Sequence, residues 1–256
     1  MPDEVITAAA GLVASFLSGL LGIGGGLVLT PLLLYLPPLV GGVAIPVKIV
    51  TGLTIVQAIS GSLLGAIRHR SYGNVSVPLV WLMGPPSAIA SLIGALVSQG
   101  TSDRVLLLIF AVMAFAGAVM LMLPVEPRDA NTIAVRRPLA IAIALVIGFF
   151  GGMVGIGGIA FIIAALVYIL RVPARLAIGT SLGIGLFAAV AALVGKAATA
   201  QIDAPLASIV FVSALVASPM GAAVSVRTQP RLLLGILSAI VIVAAVRIAI
   251  TALTGR

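Results

Sequence analysis

Apolar residues dominate this chain in long unbroken runs, and polar residues collect in the short stretches between them. The runs read as Val5–Leu21 and Gly26–Leu36, Val47–Ile67, Val75–Val97 and Arg104–Leu123. After a polar linker come Pro138–Val154 and Gly158–Leu170, Ala174–Gly195, Ala204–Val226 and Arg231–Thr254. Most approach the roughly 20 residues that a helix needs to cross a bilayer. A membrane β-barrel would alternate polar and apolar positions along each strand, and runs such as Leu139 to Phe150 do not alternate. The pattern predicts an all-α, polytopic membrane bundle.

Two of the runs are interrupted by glycine. The first break reads Gly19-Leu20-Leu21-Gly22-Ile23-Gly24-Gly25-Gly26, the second Gly152-Met153-Val154-Gly155-Ile156-Gly157-Gly158-Ile159. Each glycine costs about 1 kcal/mol in a helix interior relative to alanine, so clusters of this density end a helix. Paired breaks in corresponding places of two halves point to a transporter binding site.

The two halves do correspond. Gly19 and Gly152, Gly22 and Gly155, Gly25 and Gly158, and Tyr35 and Tyr168 all share an offset of 133. From Ile45 onward the offset is 127, which matches Pro46 with Pro173, Lys48 with Arg175, Gly52 with Gly179, Thr54 with Ser181, Pro78 with Pro205 and Arg104 with Arg231. This predicts a first transmembrane repeat over 1–124, a polar linker over 125–137 and a second repeat over 138–256. If each broken run crosses the membrane, the repeats are parallel and the basic residues divide seven against six. If each folds back as a re-entrant hairpin, every half has three crossings and the repeats are inverted. The basic residues then divide nine against four, the asymmetry expected of cytoplasmic loops. The inverted arrangement is preferred.

Composition narrows the class. With 62% hydrophobic and 8% charged residues and a mean hydropathy of +1.34, the chain has too little polar surface to cover itself in water. Its net charge of +8 reads first as a topology signal and second as a hint of an anionic substrate. Interleaved basic and aromatic residues are absent, so no nucleic acid is expected. The acidic start, Met1-Pro2-Asp3-Glu4, lacks the basic region of a secretory signal, and the first span is expected to be retained. There is no cysteine and one histidine, which disfavours a metal site, and no cofactor is expected.

A glycine turn followed by Thr30-Pro31, a second such turn after mid-chain, and Ile178-Gly179-Thr180-Ser181-Leu182 after the second broken run resemble the TauE/SafE sulfite-exporter-like family. The resemblance covers nearly the whole chain. It implies movement of sulfite, sulfonates, sulfoacetate or related small organosulfur anions across a bacterial inner membrane. The second turn departs from the first, with Ile159 in place of Gly26 and Ala164 in place of Pro31. The two hairpins are therefore inequivalent.

Several residues are candidates for holding an anion, and each has a plainer reading. Gly24, Gly25 and Gly26, with Gly157 and Gly158, stand where a helix restarts, so unpaired N–H groups at a positive dipole end would face a ligand. The alternative is close helix packing. Gly179, Thr180 and Ser181, with Thr51, Thr54 and Gln57, offer donors to sulfonate oxygens. Their hydroxyls can equally bond back to their own helices. Lys48 and Arg175 would attract an anion or snorkel to the interface. Arg247 lies within the last run, where a charge is costly and functional by default. His69, in Arg68-His69-Arg70, reads as part of a topology cluster. Pro85, Pro86 and Pro219 free backbone carbonyls or simply kink.

All six carboxylates, Asp3, Glu4, Asp103, Glu126, Asp129 and Asp203, fall at termini, loops or helix ends. Acid–base catalysis by a carboxylate pair is thereby excluded, and no enzyme is expected. A coupling proton would have to use the substrate, Asp203, His69 or a lysine. The expectation is a secondary transporter of a small anion working by alternating access. An anion channel and a structural membrane protein are the rivals, with the lipid bilayer, a coupling proton and a homodimeric second copy as candidate partners.

Overall fold

The computed structural model describes residues 3–21, 25–122 and 135–225, together with 239, 242–243 and 245–253. Within these residues every regular element is a helix: α1 (Asp3–Leu21), α2 (Gly26–Leu39), α3 (Val47–Ser71), α4 (Val77–Val97), α5 (Asp103–Met122), α6 (Arg137–Val154), α7 (Ile159–Ala164), α8 (Ala174–Ala198) and α9 (Ala204–Ser225). A π-helical stretch, Ala165–Ile169, continues α7. Residues 245–253 are also helical. Among the described residues, five helices are long and apolar enough to cross a membrane: α3, α4, α6 and the stretches Leu176–Ala198 and Ala204–Gly221. The all-α reading of the hydropathy pattern holds.

The helices begin where the sequence supplies a starter. Pro46 and Pro173 sit just before α3 and α8, both extended, with φ −56° and ψ 138° at the first and φ −53° and ψ 136° at the second. A proline there sacrifices no helical hydrogen bond. Both helices run for 25 residues. They outlast the apolar runs that predicted them. α3 continues past Ile67 to Ser71, and α8 past Gly195 to Ala198.

Small residues allow the helices to approach closely. α1 lies on α9, where a Cβ added to Gly19 would fall 2.0 Å from the Ser218 carbonyl oxygen, and one on Gly221 would fall 1.9 Å from that of Phe16. α6 lies on α4 in the same manner, Gly152 against the Ser91 carbonyl at 2.2 Å and Gly94 against that of Phe149 at 2.0 Å. Gly52 of α3 meets the Gln201 carbonyl and Gly179 of α8 that of Asn74. In all three cases one contact is converted into the other by the offsets of 133 and 127 found in the sequence.

Contacts between helix ends set their relative directions. Ser76 N–H, at the start of α4, donates to Thr180 Oγ1 in the first turns of α8 at 2.9 Å. Ser98 Oγ, at the end of α4, contacts Gln201 Oε1 just after α8 at 3.1 Å. α4 and α8 therefore run in the same direction. α3 runs opposite to α8, since Thr51 meets Lys196 and Gly65 meets Leu182. Val135 and Arg137, at the start of α6, line a cavity with Ser76 and Pro78 at the start of α4.

Two large apolar clusters and two small ones fill the interior among the described residues. One large cluster gathers Leu29, Leu33, Leu53, Phe110 and Met153, and the other Met83, Ile162, Leu166 and Ile184. Outward faces are equally apolar: Trp81 is 64% exposed and Val112 68%. Side chains of this kind on the outside of helices of this length require lipid as solvent.

Candidate functional site

The second glycine turn closes α6. Gly155 has φ +77°, and its N–H and that of Ile156 both donate to the Gly151 carbonyl, at 3.0 and 3.2 Å. Left-handed backbone of this kind favours glycine. Space demands it as well, because a Cβ on Gly155 would stand 1.9 Å from the Thr51 carbonyl and 2.7 Å from Thr54 Oγ1. Gly157 lies over Ala58 of the same helix. The turn thus rests on α3.

The first turn rests there too. Gly25, at φ +72°, opens α2 and accepts from the N–H groups of Val28 and Leu29, both at 3.0 Å. A Cβ on it would meet the Gln57 amide at 2.7 Å. That amide is buried and bridges the turn to α1. With its oxygen toward Ser15 it accepts from Ser15 N–H and Oγ, both at 3.1 Å, and donates to the Gly25 carbonyl at 3.3 Å. The turns also touch one another, since a Cβ on Gly26 would lie 3.0 Å from Ile156 Cα. Gly25, Gly26, Thr51, Thr54, Gln57, Gly157 and Gly158 therefore form one packed region.

At its edge is a residue that sequence reasoning assigned only to a charge tally. Lys196, in the last turn of α8, is fully buried. Its ammonium donates to Thr51 Oγ1 at 2.8 Å, Ser98 Oγ at 2.7 Å, the Met153 carbonyl at 2.9 Å and Gln201 Oε1 at 2.8 Å. These oxygens come from α3, the end of α4, the end of α6 and the loop after α8. None belongs to a carboxylate. Three helix C-termini converge here, those of α4, α6 and α8, and their unpaired carbonyls and negative dipole ends favour a cation. That is how the fold holds a buried charge with no partner of opposite sign.

The cage presents acceptors only. Thr51 Oγ1 donates its proton to the Lys48 carbonyl at 2.7 Å, and Ser98 Oγ donates to that of Ala95 at 2.6 Å. Gln201 Nε2 donates to Thr199 Oγ1 at 2.7 Å, which turns Oε1 toward the lysine. Nearby on α4, Ser87 and Ser91 are buried hydroxyls with no hydrogen-bond partner, facing Gly148 and Gly152 of α6.

Other predicted site residues lie elsewhere or are already engaged. Thr54 Oγ1 donates to the carbonyls of Val50 and Thr51, and Ser181 Oγ to that of Ile178. Gly179 packs against Asn74 and His69, and Thr180 accepts from Ser76, at the end of α3 and the loop that follows it. Lys48 Nζ donates to the Gln99 carbonyl, tying the start of α3 to the turn after α4. Arg247 stacks its guanidinium 5.0 Å from the centre of the Tyr35 ring, whose hydroxyl contacts Thr251 Oγ1 at 3.0 Å. Asp203 accepts from Leu206 N–H at 3.0 Å and caps α9. Gly24 and the side chain of Arg175 lie outside the described residues. Two cavities, of about 650 and 290 Å³, open beside the start of α4 and are lined mainly by apolar side chains with Arg137 or Arg70 at the rim. Neither reaches the turns or Lys196, and their position on the outer face suits lipid.

Comparison with known proteins bears on this arrangement. The family model described as sulfite exporter TauE/SafE matches residues 7–248. A probable membrane transporter protein, YunE, of Bacillus subtilis (strain 168) is 26% identical over 93% of this chain and 94% of its own length. A probable membrane transporter protein of Xylella fastidiosa (strain 9a5c) is 34% identical over 74% of this chain and 72% of its own. No solved structure matches the chain. A family match over nearly the full length, on a bundle of apolar helices, places the chain in the sulfite exporter TauE/SafE family as a multi-pass membrane protein of that transporter type.

Proposed function

We propose that this protein is a secondary transporter that moves a small anion, a sulfur oxyanion or organosulfur compound, across the bacterial inner membrane by alternating access. The observation that carries the anion is Lys196. It is a fully buried ammonium held by four neutral oxygens, beside the second glycine turn. Neutral oxygens and the partial charges of helix ends hold its protons but supply no full negative charge, and a charge buried at this depth favours an anion nearby. Ser87 and Ser91 add unused donors on the adjoining face of α4. The sulfur chemistry rests on the family's name and on the resemblance of the motifs.

Alternating access is supported by the paired contacts. Each half lends its first helix to the fourth helix of the other, α1 to α9 and α6 to α4, with matched glycines at both contacts. The directions of α3, α4 and α8 fit inverted repeats whose broken segments fold back at their glycine turns. Rocking of one such half against the other would carry the region between the turns from one face to the other. The close contact of Gly26 with Ile156 disfavours a permanently open pore.

Proteoliposome counterflow tests this reading. Preloaded sulfite or a small alkylsulfonate is expected to drive accumulation of labelled substrate by the wild type. Lys196→Met should lower it at least tenfold while the protein still inserts. Flux without counterflow would identify a channel, and full counterflow by Lys196→Met would remove the lysine from the site.

A further inference from the structure

We propose that Lys196 is the tethered occupant of a monovalent-cation site, so that this transporter carries its counter-cation as part of the chain. The inference rests on the anion-transport reading and specifies how the anion's charge is balanced.

Thr51 Oγ1, Ser98 Oγ, the Met153 carbonyl and Gln201 Oε1 surround one point at 2.7–2.9 Å. They are two hydroxyls, a backbone carbonyl from the end of a broken helix and a side-chain carbonyl. Broken-helix C-termini and unwound carbonyls are the usual ligands of coupling cations in transporters. No donor faces the central point, because the Thr51 hydroxyl donates to the Lys48 carbonyl, the Ser98 hydroxyl to the Ala95 carbonyl or to Gln201 Oε1, and the Gln201 amide nitrogen to Thr199. A site built for an uncharged amine would supply a donor to its lone pair; this one supplies acceptors alone. Three helix C-termini add their negative ends. An ammonium group and a potassium ion make similar demands on such a cage: a single positive charge, no directional preference for a donor, and oxygen at hydrogen-bond range.

The nearest basic neighbour, Lys48, is turned to the Gln99 carbonyl and does not enter the cage. Asp203, the nearest carboxylate in sequence, caps α9. The cage is thus neutral apart from its occupant. A mobile cation and a lysine are interchangeable there in charge, and the lysine removes the need to recruit one from solution.

The test is thermal unfolding of purified Lys196→Ala in potassium, sodium, ammonium, methylammonium and choline chlorides at equal ionic strength. Truncation opens the cage while leaving its oxygens. Ammonium, methylammonium or potassium is expected to raise the midpoint of Lys196→Ala by several degrees over choline, and to leave the wild type unchanged. Adding Gln201→Leu should abolish the response. Lys196→Met, which keeps the side chain's bulk without its charge, should not respond. Equal behaviour of Lys196→Ala in all five salts overturns the proposal, as does a variant that stays unfolded in every one of them. Wild-type counterflow in choline alone should equal that in sodium. A strict sodium requirement overturns the tethered cation and leaves the anion reading standing. A cation-responsive Lys196→Ala from a wild type that moves no anion does the reverse.

Discussion

At the scale of single residues, the left-handed glycines divide according to what requires them. Gly41 and Gly155 have nearly the same left-handed backbone, φ +80° and +77°. A Cβ on Gly41 meets nothing within 4 Å, whereas one on Gly155 strikes the Thr51 carbonyl at 1.9 Å. Gly41→Ala is therefore expected to cost only the conformational penalty of about 1–2 kcal/mol. Gly155→Ala must also push the turn away from α3 and should cost clearly more, with loss of transport. Comparing the two by thermal unfolding in detergent separates conformation from space; equal effects would mean that the turn is not packed on α3. The same contacts show how far the packing reading of the turns extends. Gly25, Gly26 and Gly155 are each explained by a neighbour, Gln57, Ile156 and Thr51, before any ligand is invoked. The chemistry of the region lies in Lys196, next to the turn.

At the scale of elements, α3 and α8 are the central pair. Gly52 and Gly179 seat each helix on the loop that follows the other, with Cβ distances of 2.1 and 2.0 Å to Gln201 and Asn74 carbonyls. The two contacts lie at opposite ends of helices that run for 25 residues, about 37 Å. Gly52→Ala and Gly179→Ala should each lower the unfolding midpoint. Their effects should add to within about 0.5 kcal/mol, as for sites that share no neighbours. Strong non-additivity would mean that the two ends are not separate contacts. The helices themselves were legible from the apolar runs, and the starts of α3 and α8 from their prolines. Their ends were not. Hydropathy stops α8 at Gly195 and leaves Lys196 in a loop, as an ordinary topology residue. The helix in fact continues to Ala198, because the oxygens of α3, α4 and α6 satisfy the ammonium. The signal that could have found it is a basic residue at the edge of an otherwise apolar run, which in membranes points to function.

At the scale of the whole molecule, sidedness is the property to measure. α6 starts beside the start of α4, and α8 starts there as well. Arg136 and Arg171, both exposed, bracket the second broken segment. The absence of cysteine gives a background-free chain for labelling. Single cysteines at Tyr72, Arg136 and Arg171 should react with an impermeant reagent from one face, and those at Gln99 and Ala200 from the other. Arg136 and Arg171 on opposite faces would mean that the segment spans the membrane and would defeat the inverted-hairpin arrangement.

By itself the sequence determined that this is a helical membrane protein, roughly where its helices run, where glycine clusters interrupt the apolar runs, and that matching residues recur at offsets of 133 and 127. Those properties depend on composition within a run of residues, and on matches between runs, because lipid solvates a helix according to the side chains it carries locally. Only the tertiary structure decided which polar group holds the centre. A buried charge persists where distant elements supply its ligands, and those of Lys196 come from as far as 145 residues away along the chain.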